Sequence, residues 1–127
     1  MITFFLFEFA TDSGRGVISE FVKKEKALRA ALDRKLMDLR KHGVGSEETL
    51  NYCPHIKKGI YKLKIKTVPQ FRPHLCKGPF DMQTEATLLA PAVEIGGKLD
   101  PFDVLNRACD NRDILVANQN RKLPWNL

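Results

Sequence analysis

A chain of 127 residues, 43% hydrophobic and 28% charged, suits one domain with its own core and excludes a two-domain, disordered or disulfide-stapled protein. The net charge of +6 is unevenly carried: residues 23–77 hold 15 bases against five acids, while the segments on either side are each acidic by two. Such a cationic middle is what a polyanion partner requires, because neutralised phosphates release condensed counterions; an acidic protein partner or a plain solvated surface fits it as well.

The three cysteines, Cys53, Cys76 and Cys109, are odd in number and widely spaced, which points to a reducing compartment and a cytoplasmic protein. The apolar opening Met1–Ala10 is too short to cross a bilayer, lacks the basic start of a secretory signal and carries Glu8, so no membrane partner is expected.

Along the chain, Ile2 to Phe9 is apolar on both alternating faces and predicts a strand covered on both sides. Thr11-Asp12-Ser13-Gly14 predicts a turn that offers several helix caps. Val17 to His42 predicts helix: Val17, Ile18, Phe21 and Val22 form one stripe, and Leu28, Leu32, Leu36 and Leu39 a second. One long helix and two consecutive ones both fit, with Gly43 and Gly45 as the stop. In Ile60–Lys66, Tyr61, Leu63 and Ile65 alternate with Lys62, Lys64 and Lys66, so a strand would send three apolar groups to a core and three ammonium groups to the other face. Phe71 to Cys76 predicts the next strand, with Arg72, His74 and Cys76 on the cationic side and Pro73 restricting it to an edge or bulge. Ala86 to Val93 predicts a third strand, interrupted by Pro91. Asp100 and Pro101 are expected to open a terminal helix whose apolar stripe is Phe102, Leu105 and Cys109, and residues 118–127 are expected to be a flexible tail up to Trp125. The fold class is α+β: a single domain with an N-terminal strand, one or two helices, an antiparallel sheet of short strands and a C-terminal helix.

If the two central strands pair, Lys62, Lys64, Lys66, Arg72 and His74 share one sheet face. Cleaving RNA by transesterification requires a base for the 2′-hydroxyl, positive charge for the phosphorane and an acid for the 5′-oxygen. Crowded lysines depress one another's pKa, arginine grips two phosphate oxygens, and histidine titrates in the useful range. Edge protection or solubility is the plainer account of the same pattern. Cys53-x-His55 and His74-x-Cys76 lack the usual zinc-ligand spacers, so free, partly buried thiols are expected and no metal or other cofactor.

The run Ile60-Tyr61-Lys62-Leu63-Lys64-Ile65-Lys66, followed by Gln70-Phe71-Arg72, resembles the central strands of the RelE/HigB superfamily of bacterial and phage toxins. The upstream basic helices and the Leu88-Leu89 strand with its following helix resemble that family more coarsely, over residues 1–110. The resemblance implies a toxin of a toxin–antitoxin system, a ribosome-dependent mRNA endonuclease (mRNA interferase) held inactive by a small antitoxin protein. It also implies roles: Lys62 as general base, Lys64 in phosphate or transition-state stabilisation, and Arg72 on the scissile phosphate. Three places depart from the family pattern. Gly97-Lys98 is followed by Leu99 where an arginine is expected, Leu105 falls near an expected tyrosine, and Glu94-Ile95-Gly96 replaces a Lys-Lys-Thr run of the HigB-like and phage-derived relatives. His74 and Lys98 remain as candidates for the missing acid and phosphate ligand. The alternative is a non-catalytic phage or prophage protein of the same fold that binds RNA, ribosome or a host protein through the basic face. A structural assembly protein is the third possibility.

Overall fold

The structure, a computed structural model, describes residues 4–127. Its elements run β1 (Phe5–Phe9), α1 (Val17–Val22), α2 (Lys26–His42), β2 (His55–Lys57), β3 (Ile60–Lys62), β4 (Gln70–Phe71) and β5 (His74–Lys77). They continue with β6 (Glu85–Ala90), β7 (Val93–Ile95), β8 (Lys98–Asp100), α3 (Val104–Ala117) and β9 (Lys122–Pro124). The expected α+β class is the one observed. The main sheet has the order β2-β3-β5-β6-β1-β9, and a smaller one the order β4-β7-β8.

Helices lie on both faces of the main sheet. On one face, Leu28, Leu32, Leu36 and Leu39 of α2 meet Leu6, Leu75 and Leu88 in the larger core. Full burial of a leucine stabilises by roughly 1.5–3 kcal/mol, so this stripe holds α2 although its other faces are charged. On the opposite face, Val104, Ala108 and Leu115 of α3 cover Phe9, Ile60, Cys76 and Leu89. Cys76 was expected on an open cationic face; the cover supplied by α3 is what buries it.

The helical region is two helices rather than one. On a continuous helix Val22 and Leu28, six residues apart, would stand about 120° apart, so a break lets both reach the core. At the start of α1 none of the expected turn residues is the cap. Glu8 on β1 accepts from the N–H groups of Ile18 and Ser19, both at 2.9 Å, which explains a carboxylate inside an apolar strand. The capping position is Gly16, where a Cβ would lie 2.1 Å from Glu8 Cδ, so any larger residue would push the Glu8 carboxylate off the helix start.

Further departures follow from long-range pairing. Strand β1 is parallel to β6, although an antiparallel sheet was expected, and Phe5 at its start is exposed rather than covered. Ile2 of the expected strand lies outside the described residues. The single strand expected over 71–76 is cut at Pro73: β4 joins the small sheet, while β5 lies inside the main one between β3 and β6. Pro91 likewise separates β6 from β7. Gly96 and Gly97, with φ of 58° and 79°, form the two-residue turn between β7 and β8, a turn that needs positive φ at both positions. Asp100 ends β8 instead of capping a helix, the position before α3 is Asp103, whose side chain makes no capping bond, and Phe102 is exposed.

The C-terminal segment is not a loose tail. Strand β9 pairs with β1, and Trp125 is buried, with its backbone N–H on Leu6 O at 2.9 Å and its indole Nε1 on Asp33 Oδ1 at 2.9 Å. The Arg29 guanidinium stacks 4.2 Å above the indole. Replacing Trp125 by Phe puts a smaller aromatic ring in its place and loses the indole donor to Asp33. The expected cost is about 1 kcal/mol, read as a lower urea midpoint at unchanged slope.

Candidate nucleic-acid interface

The alternation expected over Ile60–Lys66 persists beyond the short β3. Even-numbered residues pair on one side: Lys62 N donates to Pro54 O at 3.0 Å and Lys64 N to Tyr52 O at 2.6 Å. Odd-numbered residues pair on the other: Leu63 N donates to Pro73 O at 2.9 Å and Ile65 N to Phe71 O at 3.1 Å. Tyr61, Leu63 and Ile65 therefore pack into the larger core, as expected, and Lys64 and Lys66 are exposed. The Thr67 hydroxyl braces the tip of this hairpin, donating to Pro69 O at 2.8 Å and accepting from Phe71 N at 3.1 Å.

Between this hairpin, the preceding loop and α2 lies an open cleft of about 610 Å³. Its walls carry four cations, Lys35, Lys64, Lys66 and Arg72, together with Asn51, Tyr52, Thr67, Val68 and Gln70, and no carboxylate among the described residues. Lys35 projects from α2 with its ammonium 4.5 Å from the centre of the Tyr52 ring, which holds the charge at the cleft wall. Burial pushes the Tyr52 phenol up to about 12, with Asp38 and Cys53 adding to the effect, so it stays protonated at neutral pH.

Of the five basic groups expected on one face, the cleft gathers Lys64, Lys66 and Arg72. Lys62 instead points to Glu94, with Nζ 3.9 Å from Oε1. Arg72, expected on a scissile phosphate, is 6% exposed and bound within the protein: Nη1 donates to Ile65 O and Phe71 O, both at 3.1 Å, Nη2 to Gln70 Oε1, and Nε to Glu94 Oε1 at 3.3 Å. Its guanidinium clamps the hairpin to the small sheet. Lys98 is exposed on β8, two strands away from Gln70 in that sheet.

His74, a candidate acid, is buried at 1% exposure. Its Nδ1 lies 2.9 Å from Arg72 O, so that nitrogen carries the proton and donates. Burial lowers its pKa and Lys62 adds to the lowering, while the bond to Arg72 O opposes it. The imidazole is accordingly neutral at pH 7 and closed off from a phosphate. Because the folded-state pKa lies below the ordinary 6.5, the unfolded chain binds the proton first as pH falls. His74 therefore leaves stability intact above about pH 6.5 and erodes it below, by at most about 1.4 kcal/mol per pH unit, until the folded-state pKa is passed. Urea midpoints measured from pH 7.5 to 5 are expected to fall, and His74→Gln is expected to flatten that fall.

The two cysteine–histidine pairs are not assembled. Cys53 lies in the core under α2 and Cys76 in the core under α3, and burial raises both thiols to about 12. Among the described residues no cluster of three or more His, Cys, Asp or Glu has metal-holding geometry, and no helix is long and apolar enough to cross a membrane.

Lys35, Asn51 and Tyr52 escaped the sequence reading. The local signal for Lys35 was weak, one base among several on the polar side of α2, and the contact that brings Tyr52 beneath it is tertiary. Searches with protein-family models, against curated proteins and against solved structures find no match to this chain.

Proposed function

We propose that the protein binds RNA through the cleft between α2 and the Ile60–Arg72 hairpin, and that it does so as a non-catalytic module. The observation that carries this reading is the convergence of Lys35, Lys64 and Lys66, from two separate chain segments, on one open cleft with no lining carboxylate among the described residues. Solvent-reachable ammonium groups spaced along a groove suit successive phosphates. Binding without cleavage is favoured because Arg72 is already spent on internal partners and His74 is buried and neutral. Affinity for a single-stranded RNA is expected to fall steeply with salt, with a log–log slope of about −2 for three phosphate contacts. Salt-insensitive binding, or none, would sink the reading.

One observation favours a second reading, the ribosome-dependent mRNA endonuclease implied by the RelE/HigB resemblance. Lys62 and Arg72, two of its candidate catalytic groups, do converge, both within 4 Å of one Glu94 oxygen at 3.9 and 3.3 Å. Mapping mRNA 5′ ends in a translating extract separates the two. New ends that appear with the protein and vanish on adding a cognate antitoxin support the toxin; an unchanged pattern supports the binding module.

A further inference from the structure

Arg72 has two sides. It forms part of the cleft wall, yet its Nε faces away, onto Glu94 of β7 at 3.3 Å. Lys62 reaches the same oxygen from β3 at 3.9 Å. Two cations, one on β3 and one in the link between β4 and β5, thus share one carboxylate on the far side of Arg72 from the cleft. The register Gln70↔Glu94 fixes that carboxylate opposite the hairpin tip. The side chains of Glu94 and Lys62 retain 27% and 20% of their exposure, so both are reachable from solvent, and the Lys62 contact is long for an ion pair.

We propose that Glu94 is an internal competitor for anions: its carboxylate fills, between Lys62 and Arg72, a subsite for one phosphate group. The inference rests on reading the cleft as a phosphate-binding surface and deepens it by naming what limits that surface. A carboxylate and a phosphate present similar oxygen acceptors to a guanidinium and an ammonium. With Glu94 in place the two cations carry a net charge of only +1 and offer an incoming anion little. With it removed, the subsite joins the run of Lys64 and Lys66.

The test uses inorganic pyrophosphate as a small probe and single-stranded RNA as a second one, both titrated by calorimetry at low salt. Glu94→Ala, which both empties the subsite and removes the charge, is expected to bind pyrophosphate about tenfold more tightly than the unaltered protein, and Lys62→Met in that background is expected to remove the gain. No gain in a Glu94→Ala protein of unchanged melting midpoint overturns the proposal. Should Glu94→Ala fail to fold, Lys62→Met alone decides. A cation already neutralised by Glu94 can be removed with less than a twofold change in pyrophosphate affinity, and a large loss overturns the proposal. Failure of the broader reading looks different: RNA affinity indifferent to Lys64 and Lys66 discards RNA binding, whatever pyrophosphate does.

Discussion

Reversing the charge of Lys64 and Lys66 together is expected to weaken binding of a single-stranded RNA by about two orders of magnitude or more at low salt, and to reduce its salt slope by about 1.4. Each ammonium that meets a phosphate on a single strand contributes about 0.7 to that slope, because the counterions it displaces are released. Reversal goes further than removal by placing a carboxylate where a phosphate would lie. Both residues are exposed and neither forms an ion pair with the described residues, so their replacement leaves the core untouched and the folded state close to that of the parent. Lys35→Glu extends the same test to the opposite wall of the cleft, with a smaller effect from one position. The measurement is fluorescence anisotropy over a salt series, with far-ultraviolet circular dichroism as the folding check. If the doubly reversed protein binds RNA with unaltered affinity and slope, the cleft is not the interface.

Much of the scaffold around this cleft was legible in the residues, and the parts that were not share one physical cause. Four leucines at helical spacing place α2, and the alternation of Tyr61, Leu63 and Ile65 with lysines identifies the strand that forms one wall. Such periodicity tells which residues share a face; it does not tell what covers that face. Hence alternation puts Cys76 and His74 on the cationic side of the strand, whereas α3 and the neighbouring strands enclose them. Periodicity also carries no strand direction, so the parallel pairing of β1 with β6 was invisible. The Lys122-Leu123-Pro124 segment has no local strand signal at all. It becomes β9 because Trp125 finds Asp33 and Arg29, partners more than 90 positions earlier in the chain. Lys35 and Tyr52 illustrate the same point inside the site, since only the tertiary fold sets them together against the hairpin.

Replacing Arg72 by alanine is expected to cost about 3–5 kcal/mol of stability, a large part of the roughly 5–15 kcal/mol that holds a domain together. The side chain is 8% exposed, so water is nearly absent as an alternative partner. Its loss leaves the Ile65 carbonyl without the Nη1 donor at 3.1 Å, and leaves Glu94 with only the 3.9 Å contact to Lys62. Most of the cost falls on the buried hydrogen-bond partners left without the guanidinium, Glu94 being partly solvated. Arg72→Lys recovers only part of the loss, because one ammonium cannot reach Ile65 O, Gln70 and Glu94 from the positions a planar fork holds. Urea denaturation of the three proteins checks the order: unaltered protein first, then Arg72→Lys, then Arg72→Ala. Alanine within about 0.5 kcal/mol of the parent would refute the clamp. This prediction also bears on any functional assay. A growth or cleavage phenotype relieved by Arg72→Ala is what unfolding alone produces, whereas relief by changes at the exposed Lys64 and Lys66 comes from the surface itself. The lysine pair, and not the arginine, is therefore where binding and catalysis are to be distinguished from stability.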